Sequence, residues 1–256
     1  MNRVIRWSAL IVAIPIAAQV HAQATLTLGP KLAVVCETVK PGMGPAHDTH
    51  EDRWSRTVEA MKGFQPGLAV QSMTGPGVSC WMTALANYAA WGKLNDAYSS
   101  DAAYVKAIPS LVGPEAQYLS ASTASFLSFR PDISSSADLP NMLTNRFIIF
   151  EAWRIRVGQE ALFDAGAKAY FSAARRAGIA VSVQLYQTLV GAAGTTFWVF
   201  AGHPTMADYD SDLMNDSRIF GAMNAEEKKA WEEMLARALV SMDAHLWSIN
   251  SSQSVL

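Results

Sequence analysis

VCETVKPG at residues 35–42 and EAWRIRVG at residues 151–158 have the same layout and lie 116 residues apart. In each stretch a mainly apolar segment runs into a glycine, and a segment with helical periodicity follows. The apolar part predicts a strand, the glycine a turn and the last part a helix. The same three elements therefore occur twice, which indicates an internal repeat.

A second pair of glycines has the same spacing, because Gly75 and Gly191 also differ by 116 positions. Around them VQSMTGPGVSCWMTAL (70–85) aligns with LYQTLVGAAGTTFWVFAG (185–202) after a one-residue gap. Each stretch predicts a β-hairpin centred on glycine, and a helical segment follows it. The alignment places Trp81 and Trp198 at matching positions of the two copies, which indicates a shared structural role.

Each copy ends in a further short strand, SFLSFRP (125–131) in the first and HLWSINS (245–251) in the second. The element order is then βαββαβ, the order of the ferredoxin-like module, which has one antiparallel sheet with both helices on a single face. Strands such as FIIFEAW (147–153) are apolar throughout, so the other face of the sheet needs a cover. We therefore expect an α+β protein in which two tandem ferredoxin-like modules pack their sheets face to face as a pseudo-dimeric barrel.

The predicted boundaries place the first module at residues 25–135, a linker rich in Ser, Asp and Pro at 136–145 and the second module at 146–256. The longer connection at residues 87–123 contains prolines that break it into at least two helices. Residues 224–242 predict a capped amphipathic helix.

The sequence resembles tandem dimeric α+β-barrel proteins, in particular those similar to antibiotic-biosynthesis monooxygenases but of unassigned activity. The resemblance rests on the VKPG turn (39–42) with a tryptophan-bearing helix after it, on the GPG hairpin (75–77) and on SFLSFRPDIS (125–134). This superfamily includes cofactor-independent monooxygenases, isomerases, cyclases and haem-dependent enzymes, so the resemblance implies a fold more than a chemistry. It also implies that a ligand lies between the sheet and its helices.

The first residues predict a secretory leader at 1–24. Arg3 and Arg6 precede an apolar run, Trp7 to Ala18, that is too short to span a bilayer. Small residues follow, so we expect cleavage after Ala24, with a cut after Ala22 as the alternative. The expected protein is periplasmic or secreted and has no membrane segment after cleavage.

The charge balance argues against a nucleic-acid partner. The leader holds two of the 20 basic residues and none of the 22 acidic ones, so its removal leaves a formal charge of −4. Half of the residues are hydrophobic, which is enough for a large core. The expected partner is a small apolar ligand. The tandem repeat allows a monomer that is a pseudo-dimer, and a homodimer of the whole chain is the alternative.

The first helix, predicted from Gly44 or Pro45 to about Lys62, carries the candidate site. Its inward positions follow at steps of three and four residues. They are His47, His50, Trp54, Val58 and Met61. The matching positions of the second copy are Phe163, Gly166, Tyr170, Ala174 and Ala177. A packing role common to both copies would not require imidazoles in only one of them.

His50 is therefore the candidate catalytic residue, a general base or hydrogen-bond donor kept neutral by burial and by the helix N-terminus. His47, Trp54, Trp81 and Tyr186 are the candidate ligand-binding residues. Trp54 supplies an apolar wall and Tyr186 a hydrogen-bond donor. The alternative is that the first helical turn lies at the barrel rim, where histidine is tolerated and the nearby acids complement the helix dipole.

HDTHE (47–51) concentrates two imidazoles and two carboxylates, yet we predict no metal site. Two histidines three positions apart depart from the four-residue spacing of a helical zinc site, and no third ligand is evident. No cofactor is predicted either, since no histidine matches a proximal haem ligand. Glu37 and Glu151 lie in apolar strands, where a carboxylate must be paired or protonated, and they are secondary catalytic candidates.

Cys36 and Cys80 lie on the first and third strands of the first module, which this topology makes neighbours. A disulfide requires that the two residues lie directly opposite each other. The sequence does not fix the register to one residue, so a bond and two buried thiols remain alternatives.

Two functions fit these observations. The first is a small-molecule enzyme outside the cytoplasm, such as a cofactor-independent monooxygenase or isomerase that acts on a small apolar or aromatic compound. The alternative is a non-catalytic protein that binds a ligand or serves as an assembly scaffold.

Overall fold

The structure is a computed structural model, and it describes residues 26–61, 65–192 and 194–254. The predicted leader lies outside the described residues. Within the described part of the chain, no helix combines the length and the apolar character that a bilayer-spanning segment needs.

The described chain contains eight strands and six α-helices. Their order is β1 (Lys31–Val39), α1 (Gly44–Glu59), β2 (Gly67–Ser72), β3 (Val78–Leu85), α2 (Tyr88–Ser100), α3 (Ala102–Glu115), β4 (Leu119–Phe129), β5 (Phe147–Ile155), α4 (Glu160–Arg176), β6 (Val183–Val190), β7 (Thr195–His203), α5 (Met206–Ala222), α6 (Ala225–Glu233) and β8 (Leu239–Ile249). Short 3-10 helices at Pro131–Ile133 and Met142–Thr144 lie between the two halves, and a π-helical turn at Met234–Ala238 prolongs α6.

The eight strands close into one antiparallel barrel in the order β1-β3-β2-β8-β5-β7-β6-β4. Each half contributes four neighbouring strands, with β1 and β3 at the centre of the first set and β5 and β7 at the centre of the second. The two sets meet at the β2–β8 and β4–β6 seams. The predicted α+β fold of two tandem ferredoxin-like modules, closed as a pseudo-dimeric barrel, is confirmed.

The repeat is visible in the element bounds. The bounds of β5 are those of β1 moved by 116 positions, and α4 begins 116 positions after α1. The third strands differ, because Trp81 pairs with Val35 whereas Trp198 pairs with Ala152. Since Glu151 is the counterpart of Val35, the counterpart of Trp81 is Val199, which pairs with Glu151.

The prediction of a shared role for Trp81 and Trp198 was therefore wrong. A shift of one residue along a strand moves a side chain to the other face of the sheet. Trp198 lies in the barrel interior, where it stacks on Phe150 at 4.5 Å between ring centroids. Trp81 lies on the outer face against His47.

The barrel interior is a single apolar core to which both halves contribute. Alternate residues of each strand point into it, as the pleat requires. The strand residues of this core are Leu32, Val34, Leu68, Val70, Cys80, Met82, Leu127, Ile148, Phe150, Tyr186, Phe200 and Trp247. The helices cover the outer face of the barrel wall, so the space between helices and wall is where the fold can hold a ligand.

The last predicted helix is shorter than its pattern indicated. Asn224 and Glu227 form the expected capping box at its start. The helical structure ends at Ala238, and residues 239–242 belong to β8, where Met242 pairs with Trp153 of β5. The helical periodicity of these residues is overridden because they complete a β-ladder in the barrel wall.

Candidate functional site

The two candidate histidines of α1 are buried between this helix and the rest of the first half. His47 has 0% of its surface exposed and His50 has 3%. Both face inward, as the spacing of the stripe predicts. Trp54, one turn further along, is half-buried and lies 6.2 Å from the Tyr104 ring of α3.

His47 belongs to a polar cluster that the sequence did not indicate. Its Nε2 atom lies 2.9 Å from Glu37 Oε2 on β1 and 3.9 Å from Glu51 Oε1 one helical turn away. Both glutamates are 5% exposed. The half-buried Trp81 lies beside the imidazole, with 6.1 Å between ring centroids. We call Glu37, His47 and Glu51 the first-half cluster.

Two carboxyl groups, one within the first-half cluster and one beside it, have raised pKa values. Burial raises the pKa of Glu51 to about 9, and the charge of Glu37 adds to this effect. Burial also raises the pKa of Glu115, at the end of α3, to about 7, with a hydrogen bond to Glu37 as the next cause. Within the described chain, no lysine or arginine forms a salt bridge with these three glutamates.

His50 lies apart from this cluster, under α3. Its ring is 5.4 Å from that of Tyr118, and its buried Nε2 atom has no hydrogen-bond partner among the described residues. Burial lowers the pKa of His50, against a hydrogen bond to the backbone of Leu111 that raises it. The imidazole is therefore neutral near pH 7. His50 lines neither a cavity beside α1 and α3 nor the larger one in the second half, and its catalytic role stays a prediction.

Tyr186 is the predicted site residue that the structure does not bring to the others. It lies on the interior face of β6 and is completely buried, and its hydroxyl donates a hydrogen bond to the Gly29 carbonyl at 2.9 Å. A residue on the interior face cannot reach the space between the barrel wall and α1. A role for Tyr186 beside His50 is thus excluded.

Cys36 and Cys80 pair directly across the β1–β3 ladder, and their sulfurs form a disulfide bond. In the described part of the chain no free cysteine is left. The bond closes a sequence separation of 44 residues, for which the loss of unfolded-chain entropy is worth about 2–4 kcal/mol.

The larger cavity lies in the second half, between the barrel wall and helices α4, α5 and α6. Its volume is about 440 Å³ and most of its walls are apolar. Aromatic rings that line it include Trp153, Phe163, Tyr170, Phe171 and Trp231. We call this space the second-half cavity. Its size and apolar lining suit a small aromatic compound.

His203, at the end of β7, lines the second-half cavity and is 3% exposed. Its Nδ1 atom lies 3.5 Å from Asp212 Oδ2 on α5, while its buried Nε2 atom has no hydrogen-bond partner among the described residues. Burial lowers the pKa of His203, and the Asp212 charge opposes this. The result is a neutral imidazole next to Asp212, at the wall of the second-half cavity.

Two further polar groups line the second-half cavity. Glu151 Oε2 accepts a hydrogen bond from Trp153 Nε1 at 2.6 Å, and burial raises the pKa of this carboxyl. The Tyr170 hydroxyl donates a hydrogen bond to Asp216 Oδ1, and burial raises the pKa of Tyr170. Glu151, a secondary candidate from the sequence, is therefore part of the cavity wall.

The sequence reasoning missed the pairing of His203 with Asp212, although a signal was present. Thr205 and Asp208 form a capping box that starts α5 immediately after β7. Asp212 follows Asp208 by one helical turn and so lies on the same helix face. Recognition of this box would have placed Asp212 beside the end of β7.

The fold is similar to solved structures. An anthrone oxidase-like protein superposes with a TM-score of 0.57 at 10% identity, over 89% of this chain and 94% of its own. A candidate monooxygenase from Fusobacterium nucleatum gives 0.53 at 11% identity, over 88% and 94%. Another, from Lactobacillus acidophilus, gives 0.51 at 8% identity, over 88% and 98%. No protein-family model and no curated protein matches the sequence significantly. The similarity establishes the dimeric α+β-barrel fold of the chain.

Proposed function

We propose that this protein is an enzyme outside the cytoplasm that binds a small aromatic or otherwise apolar compound in the second-half cavity, with His203 as general base. The observation that carries the proposal is His203 in the wall of a cavity of about 440 Å³, with Nδ1 3.5 Å from Asp212 and with no hydrogen-bond partner for Nε2 among the described residues. An unpartnered buried nitrogen is costly unless a ligand supplies its partner.

The chemistry that fits is abstraction of a proton from a carbon next to a carbonyl or an aromatic ring. His203 takes the proton, and Asp212 stabilises the imidazolium that forms. In an isomerisation the proton returns to another carbon of the substrate. In an oxygenation the carbanion reacts with O₂, and a methylene group becomes a carbonyl while the second oxygen atom leaves as water. Neither reaction needs an external reductant.

The monooxygenase direction is supported by two of the solved structures of similar fold, which are described as candidate monooxygenases. The location outside the cytoplasm is supported by the predicted leader and by the Cys36–Cys80 bond, since such bonds persist in oxidising compartments.

The test uses the full chain without its leader and a panel of anthrone-like and 1,3-diketone compounds. Binding is followed by the fluorescence of tryptophans that line the cavity, O₂ uptake by an electrode, and proton abstraction by exchange of the substrate C–H in D₂O. We expect His203→Gln to lower the exchange rate by about 10²–10⁴-fold while binding is retained.

His245→Gln is the matched control, because His245 on β8 does not line the second-half cavity. His50→Gln tests the competing site in the first half. Loss of turnover in His50→Gln, with His203→Gln active, would overturn the assignment of His203. Binding without exchange or O₂ uptake across the panel would favour the alternative of a non-catalytic ligand-binding protein.

A further inference from the structure

We propose that the first-half cluster of Glu37, His47 and Glu51 is a binding site for a divalent transition-metal ion, held between β1 and α1. The site is separate from the second-half cavity and does not depend on the proposed reaction there. It combines one imidazole nitrogen with carboxylate oxygens, a donor set that first-row divalent metals favour.

The spacing of the donor atoms is close to what an ion requires. One donor atom from each residue lies within 4.8 Å of the other two, and His47 Nε2 is 2.9 Å from Glu37 Oε2 and 3.9 Å from Glu51 Oε1. Two atoms bonded to one zinc or manganese ion at about 2.1 Å are about 3–4 Å apart. A small rotation of the glutamate side chains therefore brings all three donors to one ion.

Glu51 supplies the independent observation that points to a ligand. Its Oε1 atom is buried and has no hydrogen-bond partner among the described residues, and it is the atom that lies 3.9 Å from His47 Nε2. A buried carboxyl oxygen without a partner costs free energy, and a cation that replaces the Glu51 proton would supply the missing partner. This oxygen points into the cluster.

The surroundings of His47 fit a metal-bound imidazole. Its Nδ1 atom lies 3.9 Å from Asp48 Oδ1, and Asp48 also accepts a hydrogen bond from Gln71 Nε2. The His47 Nδ1 atom has no hydrogen-bond partner among the described residues, so a small rotation is needed before Asp48 can accept its proton, as carboxylates beside metal-bound histidines do. Glu115, which is half-buried at the end of α3, lies near Glu37 and adds a further carboxyl group to the surroundings of the cluster.

The second half of the chain is an internal control for the role of these residues in packing. The counterparts of Glu37, His47 and Glu51 are Trp153, Phe163 and Ala167, which lie 116 positions later. Trp153 and Phe163 make an aromatic contact, with 5.9 Å between centroids, where the first half has its Glu37–His47 hydrogen bond. The same β-strand and helix thus pack with no polar group at these positions. Packing alone does not require the cluster.

The experiment measures metal binding to the full chain without its leader, after chelator treatment. Zn²⁺ and Mn²⁺ are titrated by calorimetry, and the bound metal is counted after gel filtration. We expect about one equivalent of Zn²⁺ or Mn²⁺ and a rise in Tm, while Mg²⁺ and Ca²⁺ bind at least ten-fold more weakly because they prefer all-oxygen sites.

Glu51→Gln and His47→Gln are expected to weaken binding by at least ten-fold. Glu151→Gln, which changes a half-buried glutamate of the second half, is the matched control and should bind as the unchanged protein does. Since the single variants can disturb folding, a triple variant carries the second-half residues: Glu37→Trp, His47→Phe and Glu51→Ala. It should fold, as judged by circular dichroism and Tm, and bind no metal.

Equal binding by the triple variant and the unchanged protein would overturn the proposal, and so would absence of binding at about 100 µM metal. His203→Gln should keep the metal affinity unchanged. Failure of the metal site and failure of the proposed reaction are therefore distinguishable.

Discussion

Buried histidines of this protein differ in what surrounds each ring. His47 is next to two glutamates, His50 is under an aromatic ring of the α3–β4 connection, and His203 is beside Asp212 and a cavity. Burial lowers the pKa of both His50 and His203. What distinguishes His203 is access to a space that can hold a substrate.

The pH dependence of turnover should report on His203. Its pKa in the folded protein is below the ordinary value of 6.5, because burial disfavours the imidazolium more than Asp212 and Asp208 favour it. The neutral base therefore persists below pH 6.5. We expect the acid limb of kcat/KM to have an apparent pKa below 6.5, and His203→Gln to remove this limb from the residual rate.

An acid limb of kcat/KM at or above pH 6.5 would contradict this prediction.

The free energy of unfolding should also decrease at acid pH, because His203 in the unfolded chain takes up a proton below pH 6.5 that the buried ring does not. The contribution of neutral His203 is thus present above pH 6.5 and is lost as the pH falls through and below that value.

Helices α1 and α4 show how far one element can diverge within a repeat. His50 corresponds to Gly166, and a Cβ at Gly166 would lie 2.5 Å from Met234 Sδ in the π-helical turn after α6. Packing against Met234 thus explains why Gly166 is a glycine. The difference between His50 and Gly166 is therefore weaker evidence for a functional role of His50. The difference between Phe163 and His47 has no such steric reason, because the strand residue in contact differs as well: Trp153 contacts Phe163, and Glu37 contacts His47.

The β4–β6 seam depends on a glycine. Gly191 has φ +94°, and a Cβ there would lie 2.1 Å from the Ala124 carbonyl oxygen on β4. Gly191→Ala should therefore destabilise the protein by more than about 3 kcal/mol, through backbone strain and a clash with the neighbouring strand. Denaturant unfolding measures this.

Gly194→Ala is the control, because Gly194 also has positive φ but open space around its Cβ position. It should cost about 1–2 kcal/mol, the backbone strain alone. Equal effects of the two substitutions would show that the close approach of β4 does not matter.

How much could be predicted from the sequence differs between the fold and the site. The 116-residue offset and the Gly-centred hairpins were sufficient for the tandem fold, because both signals can be read from residue order along the chain. The hairpin of the second half contains one residue more than the sequence alignment indicates. The alignment therefore predicts the same face for Trp81 and Trp198, which lie on opposite faces. Glu37 and His47 meet only through the packing of α1 on β1, which no spacing along the chain reports.

The two halves of the molecule form one structural unit. Both contribute to the barrel interior, and the β2–β8 and β4–β6 ladders join them. The end of the described chain also crosses between halves, since Ser254 Oγ accepts a hydrogen bond from the Ala69 amide and the Gln253 carbonyl accepts one from Ser55. The halves share the barrel interior, and the second half packs two further clusters of buried residues beneath its helices.

Thermal unfolding of the full chain should therefore be a single cooperative transition. Calorimetry should give equal calorimetric and van't Hoff enthalpies, and circular dichroism and tryptophan fluorescence should have coincident midpoints. Two resolved transitions would mean that the halves unfold independently and that the shared interior contributes little to stability.

The segment between β4 and β5 has one more effect. Because it ties the two halves together, closing the barrel is an intramolecular step whose equilibrium does not change when the protein is diluted. A barrel built from two separate chains would come apart as the concentration fell below its dissociation constant. Both candidate sites lie against strands of this barrel. The segment between β4 and β5 therefore keeps both sites intact at low protein concentration.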